Sequence, residues 1–489
     1  MSTTVNNIRL AVLGGLILLA PASVLATDAQ DACGAAVANR FETGYATTGR
    51  WPWQIDPTNA VPVCEAAVKS EPGASAVKVW LARALIRDQR ESEARPLLEE
   101  AAASGLVSAI ADLGRLLQAD GRVPTDLGRS TQLLKQAAEK EYPPAVNDYG
   151  LALQMGWGTA KEPDAALSKY HRAYDLGYKP AAVNIGLAYV DGVGVPVDAQ
   201  ASTKWFLLAA EAGVPTGLGN LAYNYRDGFG VDQDQKKAAE LFSEAGELGD
   251  ASSLNNLGLM YENAQGVPQD NEKASKLYQR AADLGDGFGT LNLGRNYSVG
   301  RGVEADGQKA LALILKAKEM KVDGACAALG DLYVNGAPGV PAEPEKGRAI
   351  AEAGVAQGEV GSKVSLGHYL AVGLGGPKDA ARAFDLTMQA AQAGNASAMG
   401  NLAYHFIEGV GTKRDGKQAA YWGQKGTELG SATAMGNLGE LYERGFGVER
   451  DLVKARDLYN RAIAKGEKWV EENLARLDAG IPPPPLPPE

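Results

Sequence analysis

At 489 residues, with aromatics at 7% and a formal net charge of -11, the chain is too long for one small domain and too acidic for nucleic acid or an anionic membrane surface. Abundant alanine and glycine, with no internal linker, indicate an elongated helical array in place of two or three separate domains.

Residues 1–26 read as an export signal. Arg9 is the one charge before the apolar core Leu10 to Ala26, and Val24-Leu25-Ala26 presents small residues to a signal peptidase, so cleavage is expected after Ala26. The alternative is an uncleaved anchor, but the apolar stretch is broken by Pro21 and falls short of the ~20 residues a span needs. Cys33 does not directly follow the apolar core, so lipid attachment is not indicated.

Residues 27–104 form an N-terminal helical region. In an oxidising compartment Cys33 and Cys64 are placed to form a disulfide closing a long loop, whereas Cys326 stands alone among small residues and reads as a buried apolar side chain. "SAVKVWLARALIRDQRESEARPLLEEAAASG", Ser75 to Gly105, is a helical hairpin with a small residue, Ala82, in its first helix.

From residue 105 to 466 the sequence repeats. Aligning on Gly258 in "NNLGLMYENAQGVPQD" also brings up Gly114, Gly150, Gly186, Ala222, Gly294, Gly330, Gly367, Ala403 and Gly439, spaced by 36 residues except for 37 between Gly330 and Gly367. Each unit has a first helix with this small anchor and usually an aromatic three residues on, such as Tyr261, expected to fill the gap beside it. A G-x-G-V-x-x-D loop follows, its glycines suited to positive φ and its aspartate to an N-cap, and then a second helix ending at glycine. A glycine inside a helix costs roughly 1 kcal/mol relative to alanine. Close packing of the two helices is expected to offset it, with Ala222 and Ala403 marking a need for smallness.

Such hairpins cannot bury both faces alone, so stacking into a right-handed superhelix, with first helices on the concave side, is expected. The seventh and eighth units carry Pro338, Pro341, Pro344 and "GLGGPKDAA", which suggests a change of curvature near residues 335 to 378. Residues 467–480 read as a C-terminal cap helix, and "IPPPPLPPE" at 481–489 as an extended polyproline tail.

The A-x-x-N-L-G-x-x-Y, G-x-G-V-x-x-D and K-A-x-x-x-Y-x-x-A-A-x-x-G elements resemble the Sel-one-like repeat family, relatives of the tetratricopeptide repeat; "IDPTNAVPVCEAAVKSEP" from Ile55 looks more like an ordinary tetratricopeptide helix. The resemblance implies an all-α, right-handed αα-hairpin solenoid. It also implies an adaptor for proteins or peptides, which in bacteria often works in the envelope, in signalling or in host interaction. A cysteine-rich branch that binds or hydrolyses β-lactams usually has a disulfide in each repeat; here the array holds only Cys326.

Chemistry-bearing patterns are sparse. His171, His368 and His405 stand at no metal-ligand spacing, no nucleophile elbow or phosphate-binding loop occurs, and no cofactor is implied. The suggestive pattern is an asparagine two residues before the anchor: Asn184, Asn220, Asn256, Asn292, Asn401, Asn437 and Asn473, with Asp112 and Asp148 earlier and Ala328 and Ser365 interrupting. Two readings stand: a carboxamide ladder for an extended peptide backbone, or pins between neighbouring helices. Side chains one and four residues beyond the anchor, including Tyr223, Arg226, Arg295, His368 and Tyr404, are expected to face the same groove, as are Glu440 and Glu443. The expectation is a periplasmic, non-enzymatic protein or peptide scaffold. The alternatives are a β-lactam- or peptidoglycan-acting enzyme or binder, and an assembly factor for polysaccharide export.

Overall fold

The computed structural model describes residues 22–118 and 125–485, with no side-chain detail for 22–28. The apolar run of the expected export signal up to Pro21 lies outside the described residues, and the expected cleavage point after Ala26 falls within the helix Ala22–Val37. Among the described residues there are 25 α-helices, one 3-10 turn and no strand, with only an isolated bridge between Ala337 and Val340. Neighbouring helices pair as hairpins, so the chain is an all-α αα-hairpin solenoid. It divides into two compact units, Met1–Asn224 with Gly228–Asp232 and Tyr225–Asp227 with Gln233–Glu489.

The hairpin Ala251–Glu262 and Asn271–Asp283 shows how the repeat grammar folds. Asp270 accepts the Lys273 backbone N–H at 2.8 Å and so starts the second helix, as its place in the loop suggests. In the loop of the next unit, Gly302 adopts φ 66°, and a Cβ there would run into the carbonyl oxygen of Asn271. Positive φ is therefore half the reason for the second glycine of G-x-G. The other half is that the loop lies against the first turn of the preceding unit's second helix.

The anchor glycine answers to a side chain twenty residues on. A Cβ on Gly258 would sit 2.5 Å from Cε1 of Tyr278, a fully buried ring on the second helix. Gly150 faces Tyr170 and Gly439 faces Tyr459 in the same way, at 2.9 and 2.8 Å. Burying such a ring contributes about 1.5–3 kcal/mol, more than the helix propensity lost at glycine. Where the anchor is Ala403 the small residue has moved across: the facing position is Gly423, whose added Cβ would come to 3.8 Å from that of Ala403.

The expectation that Tyr261 fills the gap is corrected. Its ring is half-buried, with Lys273 Nζ 4.3 Å from the centroid. Tyr297, Tyr333 and Tyr442 are covered likewise by Lys309, Lys346 and Lys454. In these four units the aromatic three residues past the anchor packs under a lysine from the second helix, a cation–π contact on the flank of the hairpin, whereas Phe406 is buried against Phe384.

Near the N-terminus Cys33 and Cys64 are fully buried and joined in a disulfide, tying Ala22–Val37 to Pro57–Ser70. Cys326 is a buried free thiol. The proline-rich loop of the seventh unit turns tightly at Ala337 to Val340 and docks on the helix Gly307–Glu319, whose Gly307 N–H donates to Pro338 O at 2.9 Å. The helix Val470–Asp478 closes with Gly480 at φ 68° and the Ile481 N–H on Arg476 O at 3.0 Å, turning the following chain back over the last repeat.

Candidate functional site: the first-helix face

Helix geometry sorts the candidate positions. The anchor faces the second helix, and a residue four further on lies only ~40° round from it, whereas one further on turns ~100° away. The +4 side chains therefore belong to the hairpin interior. Tyr278 Oη donates to Glu262 Oε2 at 2.8 Å, Tyr459 to Glu443 Oε2 at 2.8 Å and Tyr170 to Gln154 Oε1 at 2.7 Å. Burial first, then the neighbouring carboxylate, raises the hydroxyls of Tyr278 and Tyr459 far above the usual phenol range, so both remain donors. Glu443, expected in the groove, is 1% exposed. Arg226, the other +4 candidate, is half-buried and forks onto its neighbour Asp227 with two bonds of 2.7 Å.

The -2 position of one unit meets the first helix of the unit before it. Asn184 donates to Asn147 Oδ1 at 2.7 Å, Asn292 to Asn255 Oδ1 at 2.9 Å, and Asn437 to the Gly400 carbonyl at 2.9 Å. Their acceptors are residues three before the preceding anchor. Earlier in the array the same step is ionic. Asp112 accepts from Arg83 at 2.6 Å and Asp148 from Arg115 at 2.7 Å, the arginines standing one past the preceding anchors. Ser365 likewise donates to Asp331 at 3.3 Å. Asn220 and Asn256 bond back to their own helices, at Thr216 O and Ser252 O, both at 2.7 Å.

Arg83 anchors the ionic end, with its guanidinium 3.0 Å from Glu42 as well as on Asp112. Burial would raise the Glu42 pKa, but the charge and hydrogen bonds of Arg83, with the Asn39 N–H and the Trp80 indole, hold it below the usual carboxylate range. Arg50, Arg83, Arg87 and Arg115 line a pocket of about 250 Å³ beside Asp112 and Glu91. Arg83 and Arg87 share the helix Ser75–Arg87, but Arg50 and Arg115 come from separate segments, so no spacing in the sequence announces the pocket.

What faces outward is part of the +1 set. Tyr404 is 49% exposed, Arg295 and His368 are exposed, and Tyr223 and Glu440 are half-buried. Arg295 also reaches the Gly324 carbonyl at 3.3 Å. Near the C-terminus Asn401, Tyr404, Asn437, Glu440 and Asn473 come together around a pocket of about 440 Å³, completed by Arg444, Trp469, Arg476 and Pro484. Asn437, at 2% exposed, presents little to it and spends its N–H on Gly400, which makes it a helix pin. The wider candidate set stays distributed over separate helices along the array.

The histidines remain apart. His171 stacks edge-on against Trp205, His368 lies beside Tyr369, and buried His405 donates Nδ1–H to Val410 O at 3.0 Å. Burial lowers the His405 pKa despite that bond. Among the described residues, no three His, Cys, Asp or Glu side chains gather as a metal site, and no helix is long and apolar enough to cross a membrane.

Ten consecutive segments, 107–142, 143–178, 179–214, 216–250, 251–286, 289–322, 324–359, 363–395, 396–431 and 432–467, match the Sel1 repeat. The chain belongs to the Sel1 repeat family. Residues 54–117 match a tetratricopeptide repeat, overlapping the first Sel1 unit. Sel1 repeat proteins are generally protein-interaction scaffolds. No curated protein matches the chain. Among solved structures, a protective antigen present in uropathogenic Escherichia coli strains, displaying an SLR fold, is 26% identical over 86% of this chain and 91% of its own, with a TM-score of 0.44. A Sel1 repeat protein from Oxalobacter formigenes is 28% identical over 50% of this chain and 99% of its own, with a TM-score of 0.45. A Sel1 repeat protein of Klebsiella pneumoniae is 24% identical over 42% of this chain and 99% of its own, with a TM-score of 0.31.

Proposed function

We propose that this Sel1 repeat protein is an exported, periplasmic, non-enzymatic scaffold that binds a protein or peptide partner on its first-helix face. The observation that carries the reading is the division of labour along each first helix. Anchor and +4 side chains hold the hairpin, many -2 side chains hold neighbouring units, and the +1 side chains Arg295, His368 and Tyr404 are left outward. Tyr and Arg are common interface anchors, and a preordered helix face loses little entropy on association. Asn401, half-buried beside Tyr404, keeps the carboxamide reading of the ladder at that position. Export is supported by the Cys33–Cys64 disulfide, which needs an oxidising compartment to persist.

The test is affinity capture from the envelope fraction with the wild-type protein and with Arg295→Ala/His368→Ala/Tyr404→Ala, after matching their melting curves. A polypeptide captured by the first and lost from the second supports the reading. Copurification of a polysaccharide, or turnover of a labelled penicillin or peptidoglycan fragment, overturns it.

A further inference from the structure

The described part of the proline-rich tail, residues 481–485, does not leave the protein at the cap helix. After the turn at Gly480 it runs back to the last repeat, where the Pro484 carbonyl accepts a 2.6 Å hydrogen bond from Arg444 Nη1. Arg444 is oriented for this: its Nε and Nη2 rest on Glu440 Oε1 at 2.7 and 2.6 Å, and its side chain is 13% exposed. Pro484 thereby becomes part of the wall of the 440 Å³ pocket described above.

The pocket's chemistry suits such a chain. A polyproline strand has no internal hydrogen bonds, so its carbonyls seek outside donors, and its flat rings pack on aromatic faces. Arg444 offers the donor, and Tyr404 and Trp469, still 49% and 40% exposed, offer the faces. Among the described tail residues only Pro483 is half-buried; Ile481, Pro482, Pro484 and Pro485 are exposed. The tail is therefore held at the pocket's rim and leaves its aromatic faces accessible.

We propose that this pocket is a seat for extended proline-rich peptide, and that the chain's own tail occupies it in cis in the free protein. The inference rests on the reading of the first-helix face as a peptide-binding surface and adds a recognition chemistry and a built-in competitor at its C-terminal end. A proline-rich partner using this end of the face competes with the tail for the Arg444 donor.

The test uses the full chain and the fluorescein-labelled peptide IPPPPLPPE, read by anisotropy. In one protein Pro482, Pro483 and Pro484 are each replaced by Gly, which removes the preformed strand. A tether holds its end at an effective concentration of roughly millimolar, so a peptide of ~0.1 mM affinity is weakened about tenfold by a cis occupant. Saturable binding to the tail variant, about tenfold weaker binding to wild type, and loss of at least fivefold with Tyr404→Ala or Arg444→Ala in the tail-variant background are expected. Tyr404 is exposed, so its variant keeps the test valid if Arg444→Ala impairs folding.

No saturable binding, equal binding to both proteins, or indifference to both pocket variants overturns the proposal. Dimerisation of the wild type that disappears in the tail variant places the tail in a second copy and overturns cis occupancy. Capture of a partner that depends on Arg295 and His368, which do not line this pocket, separates the two readings. If that capture persists while the peptide fails to bind, only the tail proposal falls; if the peptide binds while capture fails, the tail is an intramolecular clasp and the scaffold reading falls.

Discussion

Gly258 and Tyr278 occupy one another's space: the ring of the second helix stands 2.5 Å from where a Cβ on the first would be. Gly258→Ala should therefore destabilise, although alanine is the better helix former by about 1 kcal/mol. Overpacking of a filled core costs about 1–3 kcal/mol, so a net loss of up to about 2 kcal/mol is expected. Thermal melts of Gly258→Ala, and of Gly258→Ala with Tyr278→Leu, check this; the double variant should regain part of the loss.

Asn292 and Asn184 hold neighbouring first helices through their carboxamides, so alanine at either should cost about 0.5–1.5 kcal/mol. Asn437→Ala should sit at the upper end of that range, because its side chain is almost fully buried, while the Gly400 carbonyl keeps its bond within the helix Ala396–Glu408. Asn220→Ala, which gives up a bond within its own helix, should cost least. Denaturation with urea ranks the four, and hydrogen exchange locates each loss in the unit affected.

Arg83→Met leaves Glu42 and Asp112, with side chains 14% and 9% exposed, without their shared cation. Removing one partner of a buried ion pair costs about 3–5 kcal/mol. The loss should appear as early melting of the N-terminal unit, followed by near-ultraviolet circular dichroism at its tryptophans.

His405 supplies a pH signature. Its folded pKa lies below the unfolded value near 6.5 because burial disfavours the cation, so between the two values the unfolded chain binds more protons. Its contribution is complete above that unfolded value and is lost as pH falls from there towards the folded pKa. His405→Gln should flatten the fall of the melting temperature between pH 7 and pH 5 relative to wild type, whatever its effect on the melting temperature at pH 7.

How much of this was legible follows the range of each interaction. Smallness at Gly258, the N-cap at Asp270 and the loop glycines are local demands repeated at one period, and they stand in the sequence. The partner of Gly258 does not. Choosing Tyr278 over Tyr261 requires the register of two helices, which no single-helix period contains. Glu443 looks like a surface residue in the sequence until the Tyr459 hydroxyl beneath it is seen. The first-helix pattern at -2 is visible in the sequence, but whether an asparagine reaches a neighbour, as Asn292 does, or bonds back to its own helix, as Asn220 does, depends on the residue opposite. Trp469, Arg444 and Pro484 meet only because the turn at Gly480 reverses the chain, and that juxtaposition has no signature in spacing.

The central claim, that a polypeptide partner lies on the first-helix face, is tested most directly by placing a photocrosslinking amino acid at His368, at Tyr404 and, as a control, at Lys276, exposed on a second helix. Ultraviolet irradiation of intact cells should give the same protein adduct at residues 368 and 404 and none at 276. Adducts at 276 alone, or none at 368 and 404 in protein that melts normally, contradict it.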